Sequence, residues 1–122
     1  MNRIIHILDE NLVNPIKEYK DLNTETVLTS TINLYDKWKD YIGAGWYGFD
    51  LGNIPANWIK AIDEILTFLS ENSTFTIQQI KIKWGGVRFY VEYKANSAAL
   101  DLEINEGIVA LEERMFDQSL IY

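Results

Sequence analysis

Residues that could carry catalysis are few in this chain of 122 residues, which contains no cysteine and a single histidine, His6. A serine or threonine nucleophile needs a neighbouring base, and a metal site normally draws on clustered His, Cys, Asp and Glu side chains. No His-x-x-x-His or Asp-x-Asp spacing occurs, and the adjacent Glu112 and Glu113 would point about 100° apart on a helix. We therefore expect no catalytic residue, no metal and no cofactor, and we predict that the chain is not an enzyme.

Residue spacing also bears on phosphate binding and on glycoside cleavage. The run Gly43-Ala44-Gly45 lacks the spacing of a phosphate-binding loop and precedes aromatic residues. Paired carboxylates of the kind that cleave glycosides stay open, because any two of the eighteen acidic residues could converge in the fold.

Charge is unevenly distributed along the chain. The formal net charge is -7, which makes the chain a poor general binder of phosphate backbones, so we expect no nucleic-acid partner. Residues 73–94 contain four basic residues and one acidic residue, a net of +3, whereas residues 95–122 contain one basic and six acidic residues, a net of -5. The six acids are candidates for binding a basic partner: Asp101, Glu103, Glu106, Glu112, Glu113 and Asp117.

Composition is that of one folded domain spanning residues 1–122, with 48% hydrophobic residues and only two prolines. No apolar run approaches the roughly 18 residues of a membrane helix, and the N-terminus lacks the cleavage pattern of a signal peptide. We expect a cytoplasmic protein without a membrane partner.

Helices are indicated at several places. Asn14-Pro15 fits the start of a short helix over Ile16–Leu22, and apolar spacing predicts another from Thr24 to Gly43. Ile54-Pro55 opens the clearest helix, which ends at Asn72-Ser73 and has one apolar face: Trp58, Ile62, Ile65, Leu66 and Leu69. The apolar run over residues 4–8 fits either a strand or a helix.

A β-hairpin is predicted over about residues 76–94, where two β-rich runs flank Gly85-Gly86. Counting outward from a Gly85-Gly86 turn pairs Trp84 with Val87, Lys83 with Arg88, and Ile80 with Val91. Since side chains alternate, one face is apolar and includes Trp84, and the other carries three cations and a ring: Lys81, Lys83, Arg88 and Tyr90. Acids from the last helix, Asp50 or water could neutralise this basic face, or it could meet an acidic ligand or the carboxylates of a partner.

The last segment has a helical pattern over Ile108 to Ser119, whereas residues 98–106 fit either a helix or a strand. These elements predict an α+β fold, with the antiparallel hairpin in a small sheet packed against two to four helices. The N-terminal run or residues 98–104 are candidates for a further strand.

Aromatic residues fall into two groups. Trp58 and Trp84 lie on apolar faces and are expected in the core. A segment rich in glycine over residues 43–53 is expected to be irregular, so it offers no periodicity that would bury its rings: Trp46, Tyr47 and Phe49. They either bind a partner, as aromatic anchors do in interfaces, or pack over the hairpin.

The order of these motifs resembles a group of small uncharacterised bacterial and phage-encoded proteins. The resemblance rests on Gly45-Trp46-Tyr47, on Ile62-Asp63-Glu64-Ile65, on the hairpin from Ile80 to Val91, and on Ala110 to Glu113. Many members of that group end in a Cys-x-x-Cys tail, which this chain lacks, and the group implies no established activity. A weaker analogy links small acidic proteins of this kind to the immunity proteins of polymorphic or contact-dependent toxin systems.

Two functions follow as hypotheses. The first is a non-catalytic, immunity-type inhibitor that neutralises a cognate basic toxin, such as a nuclease, through its acidic residues and aromatic anchors. The alternative is a phage or mobile-element accessory protein that binds a host factor or an anionic ligand through the basic face of the hairpin.

Overall fold

The structure, a computed structural model, describes residues 2–11, 32–52 and 54–116. In chain order these residues form helix α1 (Arg3–Asn11), helix α2 (32–38) continued by a 3-10 turn (Lys39–Tyr41), strand β1 (Gly48–Asp50), helix α3 (Ala56–Asn72), strand β2 (Ser73–Lys83), strand β3 (Gly86–Ala95) and helix α4 (Ala98–Arg114). The predicted α+β class is confirmed.

The sheet of the described residues has the order β1-β2-β3, with β1 parallel to β2 and β2 antiparallel to β3. The hairpin is confirmed and is longer than predicted. The additional strand is not one of the two candidates, because residues 4–8 and 98–104 are both helical. It is β1, within the segment that was expected to be irregular. Three residues with one buried glycine are too few to show an alternating pattern.

Helix predictions fare better. The helix opened by Ile54-Pro55 is α3, and its predicted apolar face is fully buried. The helix predicted over residues 24–43 is described only from residue 32 and gives way to a 3-10 turn before Gly43. The helix predicted over Ile16–Leu22 lies outside the described residues.

A β-bulge determines which hairpin residues reach the core. Ile77 pairs with Val91 and Gln79 pairs with Tyr90, so Gln78 is an extra residue in β2. Strict alternation would place Ile77 and Ile80, three residues apart, on opposite faces. The bulge lets both point inward, where both are fully buried.

The predicted register of the hairpin is wrong by two residues. The turn is Trp84-Gly85, with φ of 56° and 82°, and Lys83 pairs with Gly86. Trp84 is therefore not a core residue, since 69% of it is exposed. The N–H of Val87 donates to the carbonyl of the buried Met115 at 3.0 Å, which ties this end of β3 to the end of α4 in the observed register.

The inward face of the sheet is covered by helices. Helix α3 contacts β2, α4 contacts β3, and α1 contacts both α3 and α4. Helix α2 is attached to α3 by Asp63, whose carboxylate accepts from Trp38 Nε1 at 2.8 Å and pairs with Lys37 Nζ at 3.0 Å. The Tyr41 ring stacks on Phe75 with centroids 4.7 Å apart. The opposite face of the sheet carries no described helix.

Helices α1 and α4 cross at Gly107. A Cβ built on Gly107 would lie 2.6 Å from Ile4 Cβ and 2.7 Å from Ile4 Cδ1, and both residues are buried. A glycine inside a helix normally weakens it by about 1 kcal/mol relative to alanine. Here the missing side chain makes room for Ile4, so the helix contact requires glycine.

Trp84 gives the first stability prediction. A left-handed backbone costs a residue with a side chain about 1–2 kcal/mol, and asparagine accepts it more readily than most residues. We expect Trp84→Asn to raise the free energy of unfolding by about 1 kcal/mol relative to Trp84→Ala, which loses the same indole. Urea unfolding measures the difference. Equal stability of the two variants would contradict the strained turn.

Gly107 gives a second prediction about stability. Gly107→Ala should lower the free energy of unfolding by about 1–3 kcal/mol, because the methyl group overlaps Ile4. Ile4→Ala removes the overlapping Cγ2 and Cδ1 atoms but keeps Cβ, so the double variant should lose less stability than the sum of the two single losses without recovering all of the Gly107→Ala loss. Losses that simply add in urea unfolding would mean that the two side chains do not compete for this space.

Candidate partner-binding surfaces

Helix α4 presents an apolar strip to solvent between two rows of acids. Leu102 and Val109 are 58% and 50% exposed and lie two helical turns apart on the side opposite the buried Ile104, Gly107 and Leu111. We call this strip and its acidic neighbours the α4 outer face: Asp101, Leu102, Glu106, Val109, Glu112 and Glu113. The sequence pattern does not reveal Leu102 and Val109 as surface residues, because the helix has apolar residues on both sides and no single apolar stripe.

The acids of the α4 outer face lie on both sides of the strip. By helical spacing, Glu106 and Glu113 lie on one flank, and Asp101 and Glu112 on the other. Within the described residues, none of the four lies within 4 Å of a basic side chain. Asp101, Glu106 and Glu113 are exposed, and Glu112 is half-buried. Their negative charge is therefore available to a partner.

Two of the six predicted acids do not join this surface. Glu103 is turned toward α1, where its carboxylate accepts a hydrogen bond from the backbone N–H of Arg3 and its carbonyl accepts one from Asn2 Nδ2 at 3.1 Å. A carboxylate at a helix N-terminus stabilises that helix, so Glu103 has a structural role. Asp117 lies outside the described residues.

The ends of α4 are fixed to the rest of the fold. Ser97 Oγ accepts from the N–H of Leu100 at 3.2 Å as the N-cap, and the N–H of Asn96 donates to the carbonyl of Asn72 at 2.9 Å. At the other end Arg114 forms an ion pair with Asp9 of α1. The outer face is thus presented on a rigid element, which limits the entropy lost when a partner binds.

The hairpin forms the second candidate surface. Alternation along β2 and β3 places the predicted basic residues on the side away from the helices, and we call this side the open sheet face: Asp50, Thr76, Lys81, Lys83, Arg88, Tyr90, Glu92 and Lys94. The like-charged pair on opposite strands is Lys81 and Arg88, not the predicted Lys83 and Arg88. Asp50 continues the row of Lys81 and Arg88 on β1.

The cations of the open sheet face have no carboxylate partner in the described part of the chain. No ion pair within 4 Å involves Lys81, Lys83 or Arg88 there. The ammonium of Lys81 lies 5.8 Å from the centre of the Tyr90 ring. Two like charges directly opposed on a sheet are destabilising, so a nearby anion would be favourable here.

The aromatic loop is divided between the two sides of the sheet. A turn closed by the N–H of Trp46 donating to the Gly43 carbonyl, with Gly45 at φ 83°, carries the chain away from β2 and back. A Cβ on Gly43 would lie 2.8 Å from Thr76 Cγ2 and 3.0 Å from Trp46 Cδ1. The indole therefore lies against the edge of the open sheet face, 52% exposed.

The other two rings differ. Tyr47 is 79% exposed, whereas Phe49 pairs with the inward Ile80, is half-buried, and meets the ring of Tyr35 edge to face at 6.5 Å. The structure thus brings Trp46 to the side of the basic residues. It does not bring the aromatic loop to the acids of α4, which lies over β3 at the opposite edge of the sheet.

Tyr93 connects α4 with the sheet. It lies on the inward side of β3, where partial burial raises the pKa of its hydroxyl and the Asp101 carboxylate raises it further.

His6, the single histidine, pairs with Glu10 on the exposed side of α1 at 2.9 Å.

Among the described residues, no three His, Asp or Glu side chains lie close enough together to hold a metal ion. None of the described helices is both long and apolar enough to cross a membrane. No known protein family, curated protein or solved structure matches this chain.

Tyr93 provides a titration that reports on the start of α4. Because its pKa is raised in the folded state, neutral Tyr93 contributes stability below pH 10 that is lost as the pH rises through the folded pKa. Asp101→Asn should lower that pKa while leaving it above the ordinary value, since burial persists. Phenolate absorbance against pH, with Tyr93→Phe subtracted, isolates this ring. A pKa that does not move in Asp101→Asn would contradict the contact.

Proposed function

We propose that this protein is a non-catalytic, immunity-type inhibitor that binds a basic toxin through the α4 outer face. The observation that carries the proposal is the exposure of Leu102 and Val109 between two flanks of carboxylates that lack a basic partner in the described structure. Solvent-exposed apolar side chains at helical spacing are a recurrent basis for docking on a helix. A cytoplasmic location, where a toxin acting on the producing cell would be met, belongs to the same proposal.

Apolar and acidic groups contribute differently to such binding. Carboxylates attract a cationic cleft from a distance, raising the association rate and excluding substrates of the same charge. Leu102 and Val109 supply the area that is removed from water and so hold the complex together. A nuclease fits this surface, since a cleft that binds a phosphate backbone is basic.

The aromatic loop no longer supports this surface. The sequence predicts Trp46, Tyr47 and Phe49 as apolar anchors of the same interface as the acids. Trp46 instead lies at the edge of the open sheet face and Phe49 packs inward. The anchors of the proposed interface are therefore the aliphatic residues of α4.

A second candidate function rests on the open sheet face. Lys81, Lys83 and Arg88 lack a carboxylate partner among the described residues, which favours an accessory protein of a phage or mobile element that binds a host factor or an anionic ligand there. Charge reversal on each surface separates the two functions, because the two sets of residues lie on opposite sides of the fold.

The test pairs this chain with the product of the adjacent gene. Under the proposal, that product stops cell growth when expressed alone, and co-expression of this chain restores growth. Leu102→Ala with Val109→Ala should weaken the complex by at least about tenfold, measured by calorimetry, because the buried apolar area is lost. Alanine favours the helix, so stability should change little.

Controls separate the surfaces. Lys60→Ala changes an exposed residue of α3 and should leave binding intact. Glu106→Lys with Glu113→Lys should abolish protection, whereas Lys81→Glu with Arg88→Glu should preserve it. The reverse result would favour the accessory function, and a neighbour that does not affect growth would refute the immunity role.

A further inference from the structure

We infer that the open sheet face of one molecule binds the α4 outer face of a second copy, so that the protein associates head to tail with itself. The inference rests on the α4 outer face of the proposed function, so a second copy of the chain would compete with the toxin for that face. It rests on a complementarity between two surfaces of the same chain, one basic and one acidic, neither of which is neutralised within the described residues.

Charge is complementary in both sign and layout. The basic surface offers Lys81 and Arg88 side by side on neighbouring strands, with Lys83 one row further along β2. On the acidic surface, Glu106 and Glu113 are separated by about 10 Å of helix rise. Successive outward rows of the sheet are about 7 Å apart, so a helix lying along the hairpin brings both carboxylates within reach of long basic side chains.

Shape favours the same contact. The inward face of the sheet is packed by helices, whereas no described helix lies on the open sheet face. A helix of a second copy would complete a third layer there. In the arrangement that brings the carboxylates to the basic rows, its Leu102 would meet the half-exposed Tyr90 ring. Because these apolar groups are few, the association should be weak and reversible.

The overall charge of -7 sets the salt dependence of this contact. At low salt two acidic molecules repel each other over about 30 Å, and at high salt the local attraction is screened. Association should therefore be strongest near about 0.1 M salt, where the Debye length is about 10 Å. A symmetric contact of two acidic α4 faces would instead strengthen steadily with salt.

The experiment is sedimentation of the full chain at increasing concentration and three salt concentrations, about 0.01, 0.1 and 1 M. We expect the average mass to rise above that of a monomer near 0.1 M and at millimolar protein. A monomer under all conditions, or association that grows steadily with salt, would overturn the inference.

Two variants make the test specific. Lys81→Glu with Arg88→Glu destroys the basic surface, and Glu106→Lys with Glu113→Lys destroys the acidic one. Each should be monomeric alone. The matched neutral pairs, Lys81→Gln with Arg88→Gln and Glu106→Gln with Glu113→Gln, should form a closed 1:1 dimer when mixed in equal amounts, because each supplies the surface that the other lacks and no reversed charges create a second contact. A mixture that stays monomeric would overturn the inference, as would self-association of the Lys81/Arg88 variant.

Further measurements distinguish a loss of self-association from a loss of folding or of toxin binding. Thermal unfolding followed by circular dichroism checks each variant, and Lys81→Gln with Arg88→Gln replaces the first pair if reversal destabilises the sheet. The Lys81/Arg88 variants retain an intact α4 outer face. If they still bind the toxin while the parent never self-associates, only the self-association fails; if α4 variants bind the toxin normally, the proposed function fails by itself.

Discussion

The pairing of β2 with β3 is the constraint on which the rest of the structure depends. Ile80 opposite Phe89, and Ile77 opposite Val91 beyond the bulge, give the sheet one continuous apolar side. Helices α3 and α4 pack on that side, and α1 packs on both of them. With this register the turn falls on Trp84-Gly85, so the strain of a left-handed tryptophan is offset by pairing along the whole hairpin.

The same register determines both candidate surfaces. Alternation sends Lys81, Arg88 and Tyr90 to the side without helices, where they face solvent. On the other side, packing of Ile104, Gly107 and Leu111 against the core fixes the rotation of α4 about its own axis. That rotation turns Leu102 and Val109 outward. The exposed groups of the molecule are therefore consequences of how its core is packed.

Much of the fold could be predicted from the sequence, and the misses have identifiable causes. Helix α3 was predictable because its apolar residues follow a strict period, and the faces of the hairpin because alternation survives a shift of two residues. The register was not, since turns at Trp84-Gly85 and at Gly85-Gly86 send the same residues to the same face, so alternation does not choose between them. Strand β1 was not predictable either, because a parallel strand of three residues has no sequence pattern of its own and can be identified only by its pairing with β2.

The site was less predictable than the fold. The acids of the last helix could be identified by counting charge, but only tertiary contacts show that Glu103 stabilises α1 while Glu106 and Glu113 face solvent. Leu102 could not be separated from Ile104 by residue type. Whether an apolar residue is exposed depends on how the elements pack. The sequence pattern predicts it only when one face of a helix is uniformly polar.

Net charge is a poor guide to what this molecule can bind. The α4 outer face and the open sheet face lie about 15 Å apart, since the thickness of the helix and its spacing from the sheet separate them. This distance exceeds the Debye length of about 8 Å at physiological salt. A partner at either surface therefore responds mainly to the charges of that surface. An acidic chain can thus hold a basic partner on α4 and an acidic surface on its sheet, and only a contact that uses both surfaces couples them.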